Sequence, residues 1–227
     1  MKRIFLNGGG GAADSIYLDR KFASELDTKK PLIYIPIAME PERWDNCSIW
    51  IRSVFFPLGV KKIEILTDLN DVNEKALDDS AGIYIGGGDT VKLLREICKT
   101  GFDQYLKKYT ARGKPIYGGS AGAIILGKDI RTAPEAKCLD EKSSTGLNIL
   151  FGFSVYCHYV PSQKQIVKGI QKALKCPLIV LPENSGVFIK DNEFEVLGLA
   201  PAYIFTDKKE FVLQAQASEP YKLSDFR

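Results

Sequence analysis

Histidine is nearly absent from this chain: the 227 residues hold one, His158, beside two tryptophans and two methionines. Structural zinc sites need closely spaced Cys or His ligands. The five cysteines, Cys47, Cys98, Cys138, Cys157 and Cys176, stand far apart with no C-x-x-C pair. Neither a metal nor any other cofactor is expected. An odd number of scattered cysteines also argues for reduced thiols in a cytoplasmic protein, not a disulfide framework. Excess charge of one sign is lacking too, since 31 Lys and Arg oppose 28 Asp and Glu and leave a net +3 with no basic run. Nothing in that balance marks a nucleic-acid partner. The apolar patch within residues 1–7 is far too short for a signal peptide or a membrane span and reads as a buried strand. Linkers, low-complexity tracts and internal repeats are missing, and the length fits one α/β domain over residues 1–227.

What is present is alternation. Short apolar runs at residues 4–6, 32–37, 62–66 and 82–85 read as strands, separated by helical runs over 13–26, 45–56, 90–98 and 102–112. That order predicts a mostly parallel sheet with helices on both faces. Trp44 and Trp50 are expected to pack against it. Residues 129–146 are polar, contain Pro134 and lack a period, which predicts a long loop or irregular hairpin near the site. Residues 153–160 and 178–181 read as further strands. Residues 162–174 read as a helix with Ile166, Val167, Ile170, Ala173 and Leu174 on one face, opened by a Ser162-x-x-Gln165 capping box. Hairpins are expected around Asp191-Asn192 and Asp207-Lys208.

The apolar run 115–117 leads directly into Gly118-Gly119-Ser120-Ala121-Gly122 and then an apolar, Ala-rich segment. Strand, sharp turn and helix in that order make the sequence form of a nucleophile elbow, and the same residues also suit a glycine-rich turn with a serine cap. A serine there needs a base, and only His158 can supply one. Its position at the end of a strand is where open α/β sheets gather catalytic groups. By the strand period Cys157 should face the other way, as a buried thiol outside the site. The base in turn needs an acceptor. Glu183, following the next strand, should emerge beside His158; Glu135, Asp129 and Asp140 in the polar loop are the competing acids.

Two other glycine clusters also leave strands. In Gly86-Gly87-Gly88-Asp89-Thr90 the backbone can approach a ligand, so an N–H of Gly87 or Gly88 could join that of Ala121 in an oxyanion hole. Asp89 either caps the following helix or holds a substrate amine. Gly8-Gly9-Gly10-Gly11-Ala12-Ala13 formally satisfies a dinucleotide fingerprint, but Ile35-Pro36-Ile37-Ala38 offers no acid for the ribose. Those glycines read as a turn that leaves room at the edge of the sheet.

Taken in order, Tyr84-Ile85-Gly86-Gly87-Gly88-Asp89-Thr90-Val91-Lys92-Leu93-Leu94, Tyr117-Gly118-Gly119-Ser120-Ala121-Gly122-Ala123, and Gly146-Leu147-Asn148 ahead of His158 resemble the peptidase E (dipeptidase E) and cyanophycinase family of serine peptidases. The resemblance implies a flavodoxin-like fold similar to class I glutamine amidotransferases, with serine in place of their cysteine. It also implies a triad in the chain order Ser, His, acid. Ser120 and His158 match the nucleophile and base, and Gly88 and Ala121 match the oxyanion positions. Glu183 matches the acid of cyanophycinase-like members; Glu135 sits at the alternative position described for peptidase E. Several positions depart from the pattern. Gly119 precedes the nucleophile where a bulkier or hydroxylated residue is usual, Ile124 and Asp89 each replace Asn, and Ser162-Gln163-Lys164-Gln165 lacks the arginine expected to meet an acidic side chain. The implied activity is hydrolysis of short peptides, dipeptides among them, without strict aspartyl specificity. An isopeptide or other amide is the alternative substrate, and a non-catalytic binding protein on the same fold is the alternative class. Homodimerisation through exposed aromatic residues is a further expectation.

Overall fold

Alternation along the strands sorts side chains onto two faces of a sheet in the computed structural model, which describes residues 2–70, 72 and 74–226. The first half contributes β1 (Arg3–Asn7), α1 (Ala12–Ser24), β2 (Leu32–Ile35), α2 (Trp44–Phe55), β3 (Ile63–Ile65), α3 (Glu74–Asp78), β4 (Gly82–Ile85), α4 (Thr90–Lys99), α5 (Phe102–Ala111), β5 (Pro115–Gly119) and α6 (Ala121–Leu126). Its strands lie parallel in the order β1-β5-β4-β2-β3. Ile4, Leu6, Ile33, Ile35, Ile83 and Ile85 face α3 to α6, while Phe5, Tyr34, Tyr84 and Tyr117 face α1 and α2. One face is therefore aliphatic and the other aromatic. Tyr84 stacks on Tyr117 with centroids 4.2 Å apart, and Phe22 of α1 meets Tyr117 edge-on at 5.2 Å. Fully buried rings such as Phe5, Phe22 and Phe55 each stabilise the fold by roughly 1.5–3 kcal/mol.

The later chain adds β6 (Ser154–Tyr156), α7 (Lys164–Leu174), β7 (Leu178–Val180), β8 (Ser185–Lys190), β9 (Glu193–Gly198), β10 (Ala202–Phe205), β11 (Glu210–Leu213) and β12 (Tyr221–Lys222). Here the architecture departs from a single sheet. β8 pairs antiparallel with the free edge of β1, and β9 and β12 extend the sheet beyond it. A strand has two edges, and both of β1 are then taken. β6 and β7 instead pair parallel with each other and form a second sheet in the order β11-β10-β7-β6. The result is an α/β fold of the flavodoxin-like kind, with a large, mostly parallel sheet flanked by helices. Both expected hairpins form, one turning at Asp191-Asn192 and the other over residues 206–209.

Three local expectations change. Strand β6 is shorter than residues 153–160, because the chain turns away at His158, whose φ is +55°. Helix α7 starts at Lys164, since Pro161 opens a 3-10 turn first and the Gln163 side chain accepts the Val160 N–H at 3.1 Å; no Ser162–Gln165 capping box forms. Its inward residues are Val167 and Gln171, with Ile170 and Leu174 half-buried, whereas Ile166 and Ala173 are exposed. Val167, Ile170 and Leu174 thus share the expected face, and Gln171 turns inward with them in place of Ile166 and Ala173.

One carboxyl lies within the aromatic layer. Asp19 of α1 is 1% exposed and accepts hydrogen bonds from Ser15 Oγ at 2.6 Å and Tyr117 Oη at 2.8 Å. Burial pushes its pKa from 3.8 up to about 6, against the opposing effect of those two bonds. Between those values the native state keeps a proton that the unfolded chain has released. Stability from the neutral form is thus complete below pH 3.8 and is lost as pH rises through about 6. The loss amounts to about 3 kcal/mol. The expected result is that Asp19→Asn gains about 3 kcal/mol on wild type between pH 4 and pH 7, measured by urea unfolding. A difference independent of pH would assign Asp19 an ordinary pKa.

Candidate active site

The end of β5 dictates the geometry of the site. Ser120, the next residue, has φ +48° and ψ −109°, a strained combination for a residue with a side chain. The two glycines of the G-x-S-x-G pattern have separate steric causes. A β-carbon on Gly118 would stand 2.6 Å from the Ala123 nitrogen, and one on Gly122 would stand 2.2 Å from the Ile85 carbonyl oxygen. Strand and helix can pack this closely only without those side chains. Ser120 N–H donates to the Asn7 carbonyl at 3.1 Å, extending the β1–β5 pairing through the bend. Ala121 begins α6, so its N–H has no partner one turn back within the helix.

His158 and Glu183 reach this point from the second sheet. Pairing of Tyr156 with Val180 places the ends of β6 and β7 side by side, and the ladder continues through Leu181 N–H to Tyr156 O at 2.8 Å and Tyr159 N–H to Leu181 O at 3.1 Å. His158 Nε2 lies 2.7 Å from Ser120 Oγ, and its Nδ1 lies 2.8 Å from Glu183 Oε1. A carboxylate can only accept, so Nδ1 carries the proton and neutral Nε2 is left to accept from the serine hydroxyl. Both His158 and Glu183 are about half exposed, with side-chain values of 50% and 57%.

The first glycine cluster seats this imidazole. His158 N–H donates to Gly8 O at 2.9 Å, and Gly9 N–H donates to Asn7 Oδ1 at 2.6 Å. A β-carbon on Gly9, whose φ is +117°, would stand 2.2 Å from His158 Cε1. The room anticipated at the edge of the sheet is thus occupied by the ring, a role that sequence reading missed because it links residues 149 positions apart. Asn7 also donates to Tyr117 Oη at 2.9 Å and so joins the site to buried Asp19. Cys157 is buried as expected, but it sits beneath the elbow, its sulfur 3.7 Å from the carbonyl oxygens of both Asn7 and Ser120. Burial pushes its thiol pKa well up, which keeps it protonated.

The remaining acids are engaged elsewhere. Glu135 Oε1 accepts the Thr90 N–H at 2.9 Å, at the start of α4. Asp129 pairs with Arg131 at 2.6 Å, and Asp140 accepts the Ser143 N–H at 2.8 Å. The 129–146 segment is an irregular hairpin closed by an Asp129–Thr145 bridge. Asp89 takes the capping option, its Oδ1 accepting the Lys92 N–H at 2.8 Å. Gly87 faces the elbow so closely that a β-carbon on it would stand 3.2 Å from Ser120 Cβ. Gly88, with φ +137°, follows it along the rim. With Gly9, Ser120 and His158, these two glycines border an open pocket of about 450 Å³. Trp50, expected simply to pack against the sheet, lies on the pocket wall with Tyr34 and Tyr84. The signal for that wall was the tyrosine at the third position of both β2 and β4, Tyr34 and Tyr84, which places them on one face without showing that the face opens.

Comparison with known proteins agrees with this architecture. The model of peptidase family S51 matches residues 4–197. Peptidase E of Shewanella oneidensis is 29% identical over 193 residues, covering 78% of each chain, and that of Shewanella putrefaciens is 28% identical over 196 residues, covering 80% of each. Among solved structures, a peptidase from an acI-B1 Actinobacterium superposes with a TM-score of 0.79 at 21% identity, over 98% of this chain and 97% of that one. A candidate peptidase E protein from Listeria monocytogenes gives 0.66 at 25% identity, over 88% and 100%. The protein is a serine-type peptidase, a hydrolase acting on peptides. It belongs to peptidase family S51. Among the described residues, no helix is long and apolar enough to cross a membrane.

Proposed function

We propose that the chain cleaves short peptides by acyl transfer through a Ser120-His158-Glu183 triad. The observation that carries this reading is the pair of contacts on the imidazole, 2.7 Å to Ser120 Oγ and 2.8 Å to Glu183 Oε1, at a strained elbow. As Ser120 Oγ bonds to the scissile carbonyl carbon, its proton passes to His158 Nε2 and the carbonyl π pair moves onto oxygen. Backbone N–H groups of Gly88 and Ala121 hold that oxyanion. Collapse breaks the C–N bond, the imidazolium proton goes to the leaving amine, and the acyl group remains on Ser120. A water, deprotonated by His158, then releases the carboxylic acid and restores the hydroxyl. Glu183 keeps the proton on Nδ1 and stabilises the charged ring. A pocket of about 450 Å³ suits a ligand of a few residues, which favours dipeptides and other short peptides. Cysteines that are all unpaired fit a reducing compartment, and we place the activity in the cytoplasm.

Labelling with a fluorophosphonate tests the reading. The adduct should map to Ser120 after digestion and mass spectrometry. Absence of an adduct, or one on a different serine, would rule out this mechanism.

A further inference from the structure

We propose that Tyr34, Tyr84 and Trp50 form the pocket for the acyl-side residue, and that this pocket selects an uncharged aromatic or large apolar side chain over aspartate. The inference rests on the catalytic reading above and deepens it. Its first support is topological. The spatial order runs β1-β5-β4-β2, with Ser120 at the end of β5. His158 stands on the β1 side, bonded to Gly8 O and packed on Gly9. Tyr84 and Tyr34 lie on β4 and β2, across the nucleophile. The leaving amine must be within reach of His158 to receive its proton, so it occupies the β1 side. The residue whose carbonyl is attacked then extends toward β4 and β2.

Chemistry supplies the second support. The three rings form a continuous wall, with centroids separated by 5.5 Å for Tyr34–Tyr84, 6.0 Å for Trp50–Tyr84 and 6.3 Å for Tyr34–Trp50. Met39 and Cys47 complete it with sulfur. A β-carbon on Gly119 would stand 3.1 Å from Tyr84 Oη, so this wall begins beside the elbow. Burial holds both tyrosine phenols in the neutral form. Among the described residues, no lysine or arginine lines the pocket. Lys92, which reaches the neighbouring Met39 carbonyl at 2.9 Å, is paired with Glu40 at 3.1 Å. An aspartate side chain placed here would lose its hydration with no cation to replace it. An aromatic ring would instead stack on half-buried Trp50, over the edges of the buried Tyr34 and Tyr84.

Peptidyl diphenyl phosphonates provide the test, because the serine oxygen bonds to their phosphorus and expels phenoxide, which leaves a phosphonate ester whose side chain occupies the place of the acyl-side residue. We expect the probe with a benzyl side chain to inactivate the enzyme at least about tenfold faster than the probe with a carboxymethyl side chain. Trp50→Ala should reduce that ratio about tenfold, and Trp50→Phe should restore most of it. If Trp50→Ala does not fold, the wild-type ratio decides. Equal rates, or faster labelling by the carboxymethyl probe, would overturn the proposal. So would failure of both probes while a fluorophosphonate still labels Ser120, because the catalytic reading would then stand without this pocket. Failure of the fluorophosphonate as well would remove the catalytic reading itself.

Discussion

Replacing Ser120 with Ala should lower kcat by about 10⁶-fold while changing the free energy of unfolding by less than about 0.5 kcal/mol. The two halves of this expectation have different causes. Alanine deletes the Oγ that lies 2.7 Å from His158 Nε2, so no acyl-enzyme can form. It keeps the β-carbon, and with it the strain of φ +48° and ψ −109°. Ser120→Gly separates the effects further, since glycine adopts that region freely. Strained positions of this kind cost about 1–3 kcal/mol, and the extra backbone freedom of unfolded glycine returns roughly 0.5–1 kcal/mol of that. The glycine variant should therefore be as inactive as the alanine variant and more stable by up to about 2 kcal/mol. Steady-state peptide hydrolysis and urea unfolding on the same samples would read both quantities. Turnover within tenfold of wild type in either variant would exclude Ser120 as the nucleophile.

The first half of the fold was legible because its signals are local. Apolar runs such as Ile83 to Ile85, bounded by glycines, show their strand character over a few residues, and the glycines at 118 and 122 mark a strand packed tightly on a helix. The second sheet was not legible. Whether β6 joins β1 or stands apart depends on β8, which lies later in the chain and takes the remaining edge of β1. No local pattern records that competition. The approach of Glu183 to His158 could still be anticipated, because it requires only that β6 and β7 be neighbours and parallel, whichever sheet holds them. The seat formed by Gly9, the buried link from Asn7 to Asp19 and the opening beside Tyr34 and Tyr84 all arise where distant segments meet. Spacing along the chain carries no trace of such meetings. The Ser162–Gln165 cap failed for a local reason: Pro161 allowed an earlier 3-10 turn, and Gln163, two residues ahead of Gln165, supplied the bond instead.

The choice of triad acid yields the other large expected effect. Glu183→Gln should lower kcat/KM by about 10³-fold, whereas Glu135→Gln should lower it by less than about threefold. A buried acid in this role is worth about 10⁴-fold, largely because its amide replacement permits the wrong imidazole tautomer. Glu183 is 57% exposed, so water can substitute for part of its field, and the expected loss is smaller. The orienting bond is the part that water replaces poorly, because a glutamine amide can donate to Nδ1 and so turn Nε2 into a donor facing Ser120. Glu135 acts on a different group. It accepts the Thr90 N–H at the start of α4, where glutamine can still accept and only the attraction of a negative charge to the helix N-terminus is lost, about 0.3–1 kcal/mol of stability. The decisive readout is kcat/KM of the two variants side by side, with urea unfolding on the same samples to show that both are folded. The reverse pattern, with the large loss in Glu135→Gln, would transfer the orienting role to the polar loop and require that loop to move toward His158 during turnover.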